Sequence, residues 1–356
     1  MVLSNGGGPS VYRVGVFPGK FAPPHRGHIN AIIHAGTQCE KLYVVVSHNS
    51  RLEAELYEGT RIKPISLKDK ARWLSIELSD LEHIKVVMLD EDASSIAPLP
   101  YGWEAWSRKL NEVVGEPFDA VFGGETRYAE EGYTKYFPEV KYELYDSGRT
   151  AYPVSATAIR NDPYKYWEYI LGSARPHFAK KVLITGTESC GKTTLTKMLA
   201  KVLFTSWAQE EGRYYSARHM GGNEFVFEES DFFNICIEQR RAEDLALKTA
   251  NKITFLDTDA VVTQYYCELY LGRKNPAIET MVDPDRYDVV LMLTPNVKWV
   301  SDGLRFKGDD KARTQLHEKL KAMYVERGFG DKIIEIGGNY SERLNKALDI
   351  ANHLVK

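Results

Sequence analysis

Eight runs of consecutive apolar, largely β-branched residues are spread along the chain. They are "YRVGVF" (12–17), "KLYVVVS" (41–47), "IKVVML" (84–89), "FDAVFG" (118–123), "KVLITG" (181–186), "KITFLD" (252–257), "YDVVLML" (287–293) and "KIIEI" (332–336). Unbroken apolar runs, rather than strict alternation, predict strands buried on both faces. Segments of helical character lie between them, among them "GHINAIIHAGTQC" after the first run and "TTLTKMLAKVLF" after the fifth. Strands alternating with helices predict right-handed βαβ units and parallel sheets. The clearest interruption is "LGSARPHFAKK" (171–181), where glycine and proline stand between a predicted helix and a fresh strand. The pattern therefore predicts an α/β chain with a flexible tail at 1–10, a domain over 11–172, a linker at 173–180 and a second domain over 181–356.

Composition narrows the class. Hydrophobic residues make up 43% and charged residues 27%, ordinary for a globular protein. A net charge of −3 gives no broad basic field for nucleic acid. No apolar run reaches the roughly 20 residues of a membrane span. The start, "MVLSNGGGPS", lacks the plan of a signal peptide. Four scattered cysteines with no CxxC pair fit a reducing cytoplasm better than a disulfide framework or a zinc site.

Chemistry is most legible in the second half. "GTESCGKT", Gly186 to Thr193, matches G-x-x-x-x-G-K-S/T, and it sits between a predicted strand and a predicted helix. Such a loop turns backbone N–H groups toward a polyphosphate, and the helix N-terminus adds positive potential. Lys192 would reach the β- and γ-phosphates, and Thr193 would hold Mg²⁺. Asp257 and Asp259 stand at the C-terminal end of the next strand run, where ligands gather in open α/β sheets; one of the two is expected as a helix N-cap. In "QEEGR", Glu210 and Arg213 read either as a base and a phosphate clamp or as an exposed turn. Arg305 and Lys307 in "WVSDGLRFKGDD" read as a closing lid or as a solvated loop.

The first half carries "GVFPGKFAPPHRGH", in which His25 and His28 flank a strand-to-helix turn. Imidazoles there can donate hydrogen bonds to phosphate oxygens as charge builds on them, and Gly27 admits close backbone approach. Downstream, "VSATAIR" offers Ser155 and Thr157 as caps or phosphate ligands, with Arg160 one turn on.

"HRGH" followed by "SATAIR" resembles the HxGH-type nucleotidyltransferases. Taken with "YGWEAWS" (101–107), the phosphate loop, "FLDTD", "CELY" (267–270) and "WVSDGLR" (299–305), the chain resembles the NadR family over about residues 12–355. That resemblance implies a Rossmann-like nucleotidyltransferase domain joined to a P-loop kinase domain, both with parallel sheets. It implies a bifunctional enzyme of NAD synthesis. One half would phosphorylate nicotinamide riboside to the mononucleotide (NMN) with ATP and Mg²⁺. The other would join NMN to AMP from a second ATP, giving NAD⁺ and pyrophosphate. Residue by residue, it implies ATP contacts in the first half at Gly19, Lys20, Phe21, His25, His28, Ser155, Thr157 and Arg160, with Trp103 as the platform for nicotinamide. In the second half it implies ATP contacts at Gly186, Ser189, Gly191, Lys192, Thr193, Thr194 and Arg305, and riboside contacts at Arg213 and Tyr270. Thr193 and Asp257 would hold the metal, and Asp257, Asp259 or Glu210 would act as the base. Trp103 is expected in a polar loop. Two departures stand out. About ten residues precede the first strand, so the helix-turn-helix of some members is not expected. The family's "WEYGR" is "SWAQEEGR" here, which puts Trp207 two residues early and leaves its contact with the riboside open. Small molecules are the expected partners, and the sequence leaves room for a homo-oligomer. A coenzyme A pathway fusion and a nucleotide sensor without turnover are the alternative readings.

Overall fold

The computed structural model describes residues 12–97, 99, 101–125, 132–295 and 310–356. The expected tail lies outside them. The chain divides into two compact units, one through Ala174 and one from Arg175 onward.

The first unit is built on strands β1 (Tyr12–Gly19), β2 (Cys39–His48), β3 (Ile84–Asp90), β4 (Ala120–Gly123) and β5 (Lys141–Leu144), in the order β3-β2-β1-β4-β5 with every pairing parallel. Consecutive residues Val44, Val45 and Val46 are all 0% exposed, so helices cover both faces of β2, as its unbroken apolar run requires. The principal helices are α1 (Arg26–Gly36), α2 (Ser50–Tyr57), α3 (Leu67–Glu77), α4 (Trp103–Val114) and α5 (Ala156–Asn161). A buried ion pair, Lys70 Nζ to Glu53 Oε1 at 2.6 Å, ties α3 to α2. The strand order reverses between β1 and β4. The crevice beyond their C-terminal ends is the position where such a sheet binds ligands.

Trp103 departs from expectation: it is the first residue of α4 and not part of a loop. Pro98, Pro100 and Gly102 suggest a loop in the sequence, but Trp103, Trp106, Ser107, Leu110 and Val114 form one buried stripe at helical spacing. Gly102 permits the entry turn, because a Cβ there would lie 1.8 Å from the Ala97 carbonyl oxygen.

The second unit has strands β6 (Lys180–Thr185), β7 (Trp207–Ala208), β8 (Ile253–Asp257), β9 (Val289–Leu293) and β10 (Ile333–Ile336), in the order β10-β9-β6-β8-β7, again all parallel. Its main helices are α6 (Lys192–Val202), α7 (Glu211–Met220), α8 (Glu229–Lys248), α9 (Ala260–Leu271), α10 (Asp310–Glu326) and α11 (Tyr340–Leu354). The loop between β6 and α6 depends on Gly186 at φ 143°, where a Cβ would stand 2.8 Å from both Cys190 Sγ and the Leu293 carbonyl. Arg343 of α11 supports that loop from behind. It is buried, and it donates to the carbonyls of Cys190 (2.6 Å), Thr294 (2.8 Å) and Gly338 (2.9 Å). No described helix is long and apolar enough to cross a membrane.

Candidate active sites

The first unit encloses a cavity of about 640 Å³ at the β1/β4 crevice. That is within the roughly 300–1,000 Å³ usual for small-molecule sites. All nine first-half residues singled out in the sequence line it: Gly19, Lys20, Phe21, His25, His28, Trp103, Ser155, Thr157 and Arg160. Their roles within it differ.

His25 is the N-cap residue of α1, and His28 is in its first turn. Their rings stack with centroids 3.7 Å apart, and the His25 backbone N–H donates to His28 Nδ1 at 3.2 Å. Gly27 leaves room for this pair, since a Cβ there would press within 3.1 Å of the His25 ring. Burial, then the charge of Arg149, pushes His25 down to about 4. Burial, His25 and Arg149 together push His28 well below the ordinary histidine range. Both imidazoles are therefore neutral near pH 7. They can offer N–H donors but supply no net charge.

Ser155 caps α5 by accepting from the Ala158 N–H at 3.0 Å. Arg160 is buried. Its guanidinium donates to the carbonyls of Ala22 (2.6 Å) and Leu56 (2.9 Å) and to Thr157 Oγ1 (3.0 Å), and it lies 5.6 Å over the Tyr57 ring. It therefore fastens the histidine loop to α2 as well as facing the cavity. Trp103 is 2% exposed and belongs to an aromatic cluster with Trp106, Tyr133 and Tyr136. It is at once a core residue and cavity wall. Glu91, Tyr145, Asp146, Arg149 and Tyr152 also line this space, and sequence reasoning missed them. The last four sit in "YDSGRTAY", a stretch of turn formers whose only signal was two opposite charges, Asp146 and Arg149, between small residues.

In the second unit, Thr193 Oγ1 donates to Asp257 Oδ2 at 2.6 Å, joining the phosphate loop to the end of β8. Asp257 is fully buried, and its Oδ1 has no partner among the described residues. Burial, with Glu210 nearby, holds this carboxyl well above the usual range. A buried carboxylate oxygen lacking a partner, beside a hydroxyl, is an oxygen donor set suited to a hard divalent cation. Asp259 serves differently. It caps α9 through the Val261 and Val262 N–H groups and accepts from Tyr324 Oη at 2.5 Å. Burial pushes it up to about 7 against these bonds. The structure thus gives the Asp259 carboxylate to the fold rather than to the open site. Lys192 is buried, with Nζ 3.1 Å from the Thr187 carbonyl. Ser189 lies in the loop and Thr194 is exposed on the first turn of α6.

Lys192, Glu210, Arg213 and Tyr270 line one pocket. Phe227, Phe232 and Tyr266 supply apolar wall, Glu188 adds charge from a variable position of the phosphate-loop motif, and Glu224 adds charge that no sequence pattern marks. Tyr270 donates to Glu224 Oε2 at 2.9 Å. Trp207 is not among the lining residues. It lies on the short β7, under Lys197 at 5.1 Å, and packs against the core beside α6. Arg305, Lys307 and the rest of "WVSDGLR" lie outside the described residues.

The chain is similar to known proteins over most of its length. Residues 181–343 match the model of the AAA domain family. The chain is 32% identical to the trifunctional NAD biosynthesis/regulator protein NadR of Escherichia coli (strain K12), over 96% of this chain and 83% of that protein. It is 33% identical to the NadR of Salmonella typhimurium, over 88% of this chain and 76% of that one. Among solved structures it is similar to a NadR protein in complex with NR, at a TM-score of 0.80 and 26% identity, covering 96% of both chains. A NadR protein in complex with NAD and AMP-PNP matches at a TM-score of 0.78 and 27% identity, covering 97% of this chain and 96% of that one.

Proposed function

Because this chain belongs to the NadR family, we propose that it makes NAD⁺ in two steps, each on its own α/β unit. It is an enzyme of NAD biosynthesis with ribosylnicotinamide kinase and NMN adenylyltransferase activities, using ATP as co-substrate. Our assignment of the steps gives adenylyl transfer to the unit through Ala174 and riboside phosphorylation to the unit from Arg175.

The observation that carries this assignment is the convergence of the histidine turn, the Ser155–Arg160 turn and Trp103 on one cavity at the β1/β4 crevice. The NMN phosphate is already nucleophilic, so the reaction needs no covalent enzyme intermediate. The site's work is positioning and stabilising charge. His25 and His28 suit the donor role there, and Trp103 suits the wall against which nicotinamide rests. In the second unit, Lys192 suits the migrating phosphoryl group. Asp257 and Thr193 suit Mg²⁺, which keeps most of its ligands as water and phosphate oxygen. Glu210 is left as the candidate base, and Tyr270 and Arg213 as riboside contacts. The four free, buried cysteines support work in a reducing cytoplasm.

Mass analysis of products tests the reading. Incubated with ATP, Mg²⁺ and nicotinamide riboside, the full chain should yield NMN and then NAD⁺. With NMN supplied, it should yield NAD⁺ and pyrophosphate without the first step. Absence of both products refutes it, and this outcome would also separate an enzyme from a silent nucleotide sensor.

A further inference from the structure

Among the described residues, three cationic side chains line the first cavity, Lys20, Arg149 and Arg160, and they are not equivalent. Arg160 is buried and bonded to Ala22, Leu56 and Thr157. The charge of Lys20 acts on Glu91 and Lys70, toward the acidic side of the wall. Arg149 is exposed, and its guanidinium makes no hydrogen bond or ion pair with any described residue.

Its backbone is nonetheless held. Asp146 accepts from the Thr150 N–H (2.7 Å), from Thr150 Oγ1 (2.8 Å) and from the Ala151 N–H (3.1 Å), while the Arg149 N–H donates to the Asp146 carbonyl at 2.8 Å. Asp146 and Arg149 both adopt left-handed φ, 46° and 52°. That region is unfavourable for residues other than glycine and persists only when surroundings fix it. The turn thus presents to the cavity a cation that has no counter-ion among the described residues. It stands within electrostatic reach of the histidine pair, because its charge contributes to keeping both imidazoles neutral.

With Arg160 bonded within the fold and Arg149 exposed on the cavity wall, its guanidinium engaged by no described residue, we propose that Arg149 meets the polyphosphate in this cavity. The inference rests on the adenylyl-transfer reading. An NMN phosphate oxygen bonds to the α-phosphorus of ATP, the α–β bridging P–O bond breaks, and its electron pair leaves on pyrophosphate. No proton need move. Negative charge grows on the leaving group, and a guanidinium can bind it through paired N–H donors. Arg160 then acts as a positioning residue for the histidine loop.

The test uses the full chain with Arg149→Ala and Arg149→Lys. Inorganic pyrophosphate is titrated while the ring resonances of His25 and His28 are followed, which reports arrival in this cavity whether or not turnover occurs. NAD⁺ formation from NMN and ATP, riboside phosphorylation and melting temperature are measured alongside. Arg149→Ala should weaken pyrophosphate at least about tenfold and lower kcat for NAD⁺ by about a hundredfold. Arg149→Lys should recover part of each, with melting and riboside phosphorylation unchanged. A pyrophosphate Kd in Arg149→Ala within twofold of the parent, or no ring shift in the parent, overturns the inference. A parent that binds pyrophosphate here yet makes no NAD⁺ refutes the reaction reading instead, and the ring titration still decides the anion contact.

Discussion

Acidification should leave the stacked histidines uncharged well below the pH at which an ordinary imidazole has taken its proton. His25 falls from the usual 6.5 to about 4. That gap corresponds to roughly 3.5 kcal/mol in favour of the neutral ring. At pH 5.5 a free histidine is about 90% protonated, whereas His25 should be only about 3% protonated. The folded value lies below the unfolded one, so the unfolded chain takes the proton first as pH falls. The stability held above about pH 6.5 is therefore lost on approach to pH 4, by up to about 3 kcal/mol from His25 alone. His28 shifts in the same direction. His25→Gln should remove that share of the pH dependence. NMR titration of the ring Cε1 protons measures the value directly, and kcat/KM for NAD⁺ formation from pH 5 to 8 measures its consequence. No acid limb near 6.5 should come from either ring. A His25 resonance titrating close to 6.5, or a limb there that disappears in His25→Gln, would mean that imidazolium is the working form and would refute the argument.

Three further outcomes follow from the geometry. Lys192→Ala should lower riboside phosphorylation by several orders of magnitude while NAD⁺ still forms from supplied NMN, and His28→Ala should do the reverse; equal loss of both activities in either folded variant would contradict two separate sites. Trp103→Ala should cost about 3–5 kcal/mol and depress the melting of the first unit, because the ring fills the aromatic cluster, with Trp103→Phe losing less; a parent-like melting curve would show that it is wall and not core. Asp259→Ala should destabilise the second unit by about 1–3 kcal/mol through the lost cap and the stranded Tyr324 hydroxyl, whereas Asp257→Asn should keep its fold and lose phosphoryl transfer, and swapped phenotypes would overturn the division between them.

Every long apolar run in the sequence became a strand; in central strands such as β2 and β9, the run is apolar throughout because both faces are covered. The two missed strands are edge elements. Lys141–Leu144 has exposed ends, and Trp207–Ala208 spans two residues, so neither leaves a run to detect. Residues of the candidate sites were legible where backbone conformation fixes residue type, as at Gly186 and in the histidine turn. The roles of polar side chains were less so. Asp257 and Asp259 are two residues apart, yet one ends a strand and faces Thr193 while the other begins a helix and caps it. Only the chain's turn at Thr258, with φ at 69°, separates them. Arg149 and Glu224 were invisible because one sits in a turn and the other in a three-residue 3-10 helix, segments too short to carry a periodic signal.

The grip of Arg343 on the Cys190 carbonyl has a consequence for how the protein is made. The first cavity has all its lining residues once Arg160 has emerged from the ribosome. The phosphate loop is synthesised soon afterwards, but the side chain that braces it lies about 150 residues further on. At roughly 5–20 residues per second, that delay is on the order of ten seconds. During it, the nascent chain carries a finished pocket for one nucleotide and an unbraced loop for the other. A message truncated just before Arg343 would keep every described residue that lines the first cavity and lose the side chain that braces the phosphate loop.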